Sequence, residues 1–164
     1  MIFGMTTFTF VHVLLSLVAI VAGIVVVAGL LTARTFGGWT VVFLATMLAT
    51  DITGFGFPFA QLLPSHITGI ISLIALAIAM LARYVFHLVR AWRWLYVVGA
   101  VIALYLDVFV LIVQLFIKVP AIHSLAPTQS EPPFLITQVV VLLLFIAVGI
   151  AGAIKFRVRP RFAA

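Results

Sequence analysis

Two aspartates lie deep inside apolar stretches of a chain that has only three acidic residues. Asp51 precedes Pro64 by about 13 residues and Asp107 precedes Lys118 by about 11, which is roughly 16–20 Å along a helix. An ionised carboxylate near the centre of a bilayer costs at least ~2.5–3.5 kcal/mol, so both side chains are expected to face the interior of a helix bundle. Held close together, they would bind a proton or a cation. The alternative is a static hydrogen-bonded clamp between helices.

Polar side chains at helical spacing accompany these carboxylates. Gln114 and Lys118 are predicted to line the access route to them, beside a kink expected in the segment Gly54–Pro58, where two glycines and a proline weaken the helix. Arg83 would either pair with an aspartate or extend its guanidinium to the nearer membrane surface, and we favour the second. Small and polar residues at spacings of three, four and seven give the fourth stretch one distinct face, comprising Ala100, Ala103, Asp107, Gln114 and Lys118.

Similar faces occur on three other stretches. Helices in membranes approach each other closely where such residues meet, so packing is the simplest explanation of these faces. Their members are His12, Ser16, Ala19 and Gly23 on the first stretch, Thr68, Ser72, Ala75, Ala79 and Arg83 on the third, and Gln138, Phe145, Gly149 and Gly152 on the last.

Three histidines and a glutamate are predicted to lie on one side of the membrane. His12 and His66 are at the ends of their stretches, and His123 and Glu131 are in the long segment before the last stretch. Such side chains can hold zinc or copper, and two imidazoles can ligate the iron of haem b. Because none of them has the spacing of a known metal motif, we expect no cofactor and keep haem b or a divalent metal as the alternative.

Five apolar stretches must position these residues. With 66% hydrophobic residues, 7% charged residues and a mean hydropathy of +1.44, the composition excludes an ordinary water-soluble domain. Continuous rather than alternating apolar runs indicate helices instead of strands. The sequence predicts an all-α integral membrane bundle, a single domain of residues 1–164, whose five helices span about 10–31, 39–59, 67–88, 95–117 and 134–154.

The basic residues predict how this bundle is oriented. If the five helices alternate in direction, eight of the nine basic residues fall on one side and only Lys118 falls on the other. Basic residues are enriched on the cytoplasmic side of membrane proteins, so the amino terminus should face outside and the carboxyl terminus the cytoplasm. The eight are Arg34, Arg83, Arg90 and Arg93, followed by Lys155, Arg157, Arg159 and Arg161 in a predicted basic cytoplasmic tail, 155–164.

The residue types and motifs that the sequence lacks reduce the number of possible functions. It has no cysteine and none of the common nucleotide-binding, hydrolase or metalloprotease motifs. Its net charge of +6 is accounted for by membrane orientation, so the lipid bilayer and a second copy or a larger membrane complex are the expected partners, not nucleic acid. We expect a multi-pass inner (plasma) membrane protein, not an enzyme, with proton- or cation-linked transport. The alternatives are a haem- or metal-binding electron-transfer protein and a non-catalytic accessory subunit.

Overall fold

The computed structural model describes residues 6–57 and 64–156, which contain helices and no β-strand. The predicted all-α class is therefore confirmed. The basic tail beyond Phe156 and the predicted kink at Pro58 lie outside the described residues. The helices are α1 (Thr7–Leu31), α2 (Gly37–Gly54), α3 (Pro64–Met80), a π-helical turn (Leu81–Val85), α4 (Trp92–Lys118), α5 (Pro120–His123) and α6 (Pro132–Lys155).

Four helices in the described part of the chain are long and apolar enough to cross a membrane. They comprise Thr7–Leu31, His66–Val85, Trp92–Lys118 and Pro132–Lys155. At about 1.5 Å per residue, each reaches the roughly 30 Å of bilayer hydrocarbon. α2 is not among them, because four threonines and Asp51 lower its mean hydropathy. The four apolar helices support a membrane protein, whereas the count of five spans stays a prediction.

α2 runs alongside α1 in the opposite direction. His12 Nδ1, near the start of α1, lies 2.9 Å from Thr53 Oγ1, near the end of α2. Further along, Gly23 of α1 faces the ring of Phe43. Three of the threonine hydroxyls in α2 donate to carbonyl groups of their own helix, which removes most of the cost of placing them among apolar neighbours.

α4 packs against α1, α3 and α6. Its contact with α3 depends on Gly99, where a Cβ atom would lie 2.6 Å from the carbonyl oxygen of Ala75 and 3.2 Å from Cβ of Ala79. The two backbones are therefore in direct contact, as small residues allow in membrane helix pairs. The contact with α6 is looser, since a Cβ atom at Gly149 would lie 3.5 Å from Val101.

Gly99→Ala is expected to destabilise the fold, because the new methyl group requires one backbone to move away from the other. Overpacking of this kind costs about 1–3 kcal/mol. Gly149→Ala is the matched control, since its methyl group only reaches ordinary contact distance. Thermal unfolding in detergent should show a lower midpoint for Gly99→Ala alone. Equal midpoints for the two variants would contradict the close contact between α3 and α4.

The larger cluster of buried apolar side chains fills the half of the bundle towards the end that carries Arg34, Arg83, Arg90 and Arg93 (the arginine end). A smaller cluster lies between α4 and α6 near the opposite end. The predicted small-residue faces contribute directly to the larger cluster, which confirms their inward placement. Their buried members include Ala19, Ala75, Ala79, Ala100 and Ala103. The outer surface of α6 is by contrast apolar and exposed, as contact with lipid requires.

The third helix departs from its prediction at the arginine end. The expected span continued to about residue 88, but regular α-helix ends at Met80 and a π-helical turn follows. The rings of Phe86 and Trp92 stack 3.6 Å apart across the connection to α4. No glycine or proline marks residues 81–91 in the sequence, and three non-glycine residues between the π-helical turn and α4 adopt positive φ, namely His87, Leu88 and Arg90.

Candidate functional site

The end of the bundle opposite the arginines holds a cavity of about 490 Å³. Its wall is formed by α1, α3, α4 and the last turn of α2 with the residues that follow it. Half of the lining residues are apolar or glycine, and they include Phe55 and Phe57. The other half is polar or charged and consists of Thr9, His12, Ser16, Thr50, Asp51, His66, Thr68, Ser72, Asp107, Gln114 and Lys118.

The floor of this cavity lies at one level on all four helices. Within about one helical turn of 3.6 residues, cavity-lining positions give way to buried apolar ones. The cavity is therefore closed towards the arginine end by packed side chains. The change occurs between Ser16 and Ala19 on α1, Thr50 and Met47 on α2, Ser72 and Ala75 on α3, and Asp107 and Leu104 on α4.

Asp51 lies in the last turn of α2, nearer to a helix end than the predicted span of about 39–59 implied. The helix ends early at Gly54, where the amides of Phe55 and Gly56 turn back onto carbonyl groups of the last turn. The carboxylate is still deep in the bundle. Ser72 donates a 2.8 Å hydrogen bond to Asp51 Oδ2, and Ser72 lies about 12 Å along α3 from the start of that helix.

Asp107 is buried on α4, with 8% of its surface exposed. Ser16 of α1 donates a 2.8 Å hydrogen bond to Asp107 Oδ1. Oδ2 has no hydrogen-bond partner in the described chain, and the same holds for the hydroxyl of Thr50, which also lines the cavity. Buried polar atoms without partners are rare in proteins, and a bound ion, ligand or water is the usual explanation.

The two carboxylates share the cavity without bonding to each other. Among the described residues, each bonds instead to a serine of a neighbouring helix, so that Asp51 joins α2 to α3 and Asp107 joins α4 to α1. No ion pair within residues 6–57 and 64–156 neutralises either one. Lys118, the basic residue of the lining, follows Asp107 by about 16 Å along α4. The floor therefore carries acidic groups that a cation would complement.

Of the residues predicted to accompany the aspartates, Gln114 and Lys118 line the cavity and Arg83 does not. Arg83 lies in the π-helical turn at the arginine end, with its guanidinium carbon 5.6 Å from the centre of the Tyr96 ring. The packed core separates it from the cavity floor. Arg83 is therefore not a partner of either carboxylate, and its extension towards the membrane surface stays a prediction.

Two of the predicted histidines, His12 and His66, line the cavity. The hydroxyl of Thr53 donates to the carbonyl of Ala49 at 2.7 Å, so it accepts from His12 Nδ1 at 2.9 Å. His12 consequently carries a proton on Nδ1, and in its neutral form Nε2 is an acceptor. His66 is 6% exposed and its ring centre lies 5.9 Å from that of Phe55.

His123, the last residue of α5, and Glu131, in the loop before α6, lie outside the cavity lining. His123 Nδ1 donates to the carbonyl of Phe116 at 2.9 Å. Glu131 accepts hydrogen bonds from the hydroxyl and amide of Thr128 and from the amide of Ser130. Desolvation raises the pKa of Glu131, but these hydrogen bonds together hold it below its ordinary value. The predicted set of three histidines and a glutamate is thus divided between the cavity and the segment that joins α4 to α6.

No group of three or more His, Asp or Glu side chains in the described ranges is arranged to hold a metal ion. The cavity floor offers a different chemistry. It presents two carboxylates and a threonine hydroxyl, with acceptor atoms left over, beneath a wall that is half apolar. Carboxylates in such a site can bind a cation, and they can take up or release a proton.

Sequence reasoning did not identify three residues of this floor as part of the site. Ser16 and Ser72 belong to the predicted faces, but spacing alone suggested packing, and the structure shows that they donate hydrogen bonds to the carboxylates. Thr50 was not singled out. The available signal was the recurrence of Thr46, Thr50 and Thr53 at helical spacing beside Asp51.

The chain matches no protein family, no curated protein and no solved structure. Its function is therefore inferred from the geometry of the cavity.

Proposed function

We propose that the protein is a small transporter of the inner (plasma) membrane that binds protons or other cations at Asp51 and Asp107. The observation that carries this proposal is the shared cavity floor. Two carboxylates from different helices line it without a basic partner in the described chain, and one of them keeps an oxygen without a hydrogen bond. Acidic residues inside a membrane are costly, and where they are kept they commonly mark ion or proton pathways.

The proposal includes five spans with the amino terminus outside. Counting α2 as a span is supported by its antiparallel path beside α1, and by the hydrogen bonds that satisfy three of its threonines. The arginine end is opposite the cavity. Because basic residues are enriched on the cytoplasmic side, the cavity should open to the outside. The packed core then closes it towards the cytoplasm, and transport requires a rearrangement that gives access from the other side.

Flux into reconstituted vesicles, followed with a pH-sensitive dye under sodium or potassium gradients, tests this proposal. Asp51→Asn and Asp107→Asn keep the size of the side chain and remove its charge. Each should lower the flux roughly 10- to 100-fold, the effect of losing a hydrogen bond to a charged group. Glu131→Gln, in the loop, is the matched control and should keep the parent flux. A parent without flux, or two aspartate variants with full flux, would contradict the proposal.

A second candidate is an electron-transfer protein that holds haem b or a divalent metal through His12 and His66. It is favoured by one observation, that both imidazoles line the same half-apolar cavity. Absorption spectra and metal content of protein purified from haem-supplied cells decide it. A Soret band or bound metal that disappears in His12→Ala and His66→Ala would support this candidate. A parent protein with neither would reject it.

A further inference from the structure

The cavity is larger than a bare ion needs. Its volume of about 490 Å³ falls within the range of roughly 300–1,000 Å³ that is typical of sites for small organic ligands. A single inorganic ion at the floor would leave most of this space to water, at about 30 Å³ per molecule. We infer that the cavity binds a small organic ammonium ion with one charged nitrogen and an apolar body. This inference rests on the proposed function, because it uses the same floor.

The floor supplies the acceptors that an ammonium group requires. Thr50 and Asp107 are 7% and 8% exposed, and Oγ1 of the first and Oδ2 of the second have no partner within the described ranges. An ammonium group of a primary amine has three N–H donors and no acceptor, so it complements acceptor atoms of this kind. An anionic ligand would instead meet two carboxylates.

The wall suits an apolar body. Apolar residues and glycines make up half of the lining, and two of them are the aromatic rings of Phe55 and Phe57 beside the cavity histidines. Aromatic rings attract both apolar groups and cations, the latter through the negative face of the ring. A ligand seated with its nitrogen on the floor would therefore place its hydrocarbon part against these side chains.

Lys118 disfavours a second positive charge at its own end of the cavity. It lines the cavity about 16 Å along α4 from Asp107, towards the cavity end of the bundle. A second ammonium group approaches this lysine only in a ligand long enough to span most of that distance, and it would then be repelled. The inferred ligand class is therefore monoamines rather than long polyamines.

Calorimetric titration of the full-length protein in detergent tests the inference, with 2-phenylethylammonium as the probe. The neutral 2-phenylethanol, which has the same apolar body, is the matched control ligand and should bind at least about tenfold more weakly. Asp107→Asn should weaken binding of the ammonium roughly 10- to 100-fold and Thr50→Val about 3- to 10-fold. Glu131→Gln should not change it.

Equal affinity for the ammonium and the alcohol would overturn the inference, as would ammonium binding that neither Asp107→Asn nor Thr50→Val weakens. Thermal unfolding of each variant shows whether it is folded, and Thr50→Val carries the test if Asp107→Asn is not. If 2-phenylethylammonium fails to bind while vesicle flux persists and depends on Asp107, the ligand class is wrong and the proposed transport stands. If binding and flux are both missing, both proposals fail.

Discussion

The double variant Ser16→Ala/Asp107→Leu is expected to be as stable as the parent protein and to carry no flux. Replacing both partners of a buried hydrogen bond by apolar groups of similar shape is nearly neutral for stability, because no polar atom is left without a partner. This replacement also removes the unpartnered Asp107 Oδ2. The free energy of unfolding should therefore change by less than about 1 kcal/mol, while the cation site is lost.

Thermal unfolding and vesicle flux, measured on one preparation, check this expectation. Thr46→Val is a suitable control, because the Thr46 hydroxyl bonds only within α2 and the residue is not part of the cavity lining. A double variant that is inactive and strongly destabilised would indicate that Ser16 and Asp107 form a structural clamp. A stable double variant with full flux would remove Asp107 from transport.

A cysteine placed at Gln114 is expected to react with a membrane-impermeant thiosulfonate from outside the cell and not from the cytoplasmic side. The parent chain has no cysteine, so the introduced thiol is the only one. Gln114 lines the cavity between Lys118 and Asp107 on α4, and a charged reagent reaches it only through water. Ala100→Cys is the matched control on the same helical face, because Ala100 is 1% exposed within the packed core.

Intact mass measurement after labelling of right-side-out and inverted membrane vesicles gives the result. Nearly complete modification of Gln114→Cys in right-side-out vesicles only, with Ala100→Cys unmodified in both, is the predicted outcome. If Gln114→Cys were modified in inverted vesicles only, the proposed orientation would be wrong. Modification of Ala100→Cys would show that the core does not close the cavity.

Much of this architecture could be predicted because two simple properties govern it. Hydropathy identifies helices that must face lipid, and the spacing of small and polar residues identifies the faces that must not. Ser16, Ser72 and Asp107 were therefore placed on inward faces correctly. Hydropathy is least informative on whether α2 spans the membrane. Its threonines lower the mean hydropathy of the helix, but their internal hydrogen bonds remove most of the cost of burying a hydroxyl among apolar groups.

The remaining features depend on distances between helices, which spacing along one helix does not contain. The partner of each aspartate is a serine on another helix, and the sequence offers no way to choose between Ser16 and Ser72 for Asp107. The separation of His12 from His123 could not be predicted either, because it depends on the path of the segment between α4 and α6. The early end of α2 and the π-helical turn arise from local backbone hydrogen bonds that compete with the regular helix.

Protection of the carboxyl groups from a lipid-soluble carbodiimide is the most direct test of a cation site shared by Asp51 and Asp107. The chain has only three acidic side chains, so peptide mass spectrometry can follow each of them. Added sodium or 2-phenylethylammonium should reduce modification of both cavity aspartates, while reaction at Glu131, in the loop, should not change. Modification of Asp51 and Asp107 that neither cation reduces would contradict a cation site at the cavity floor.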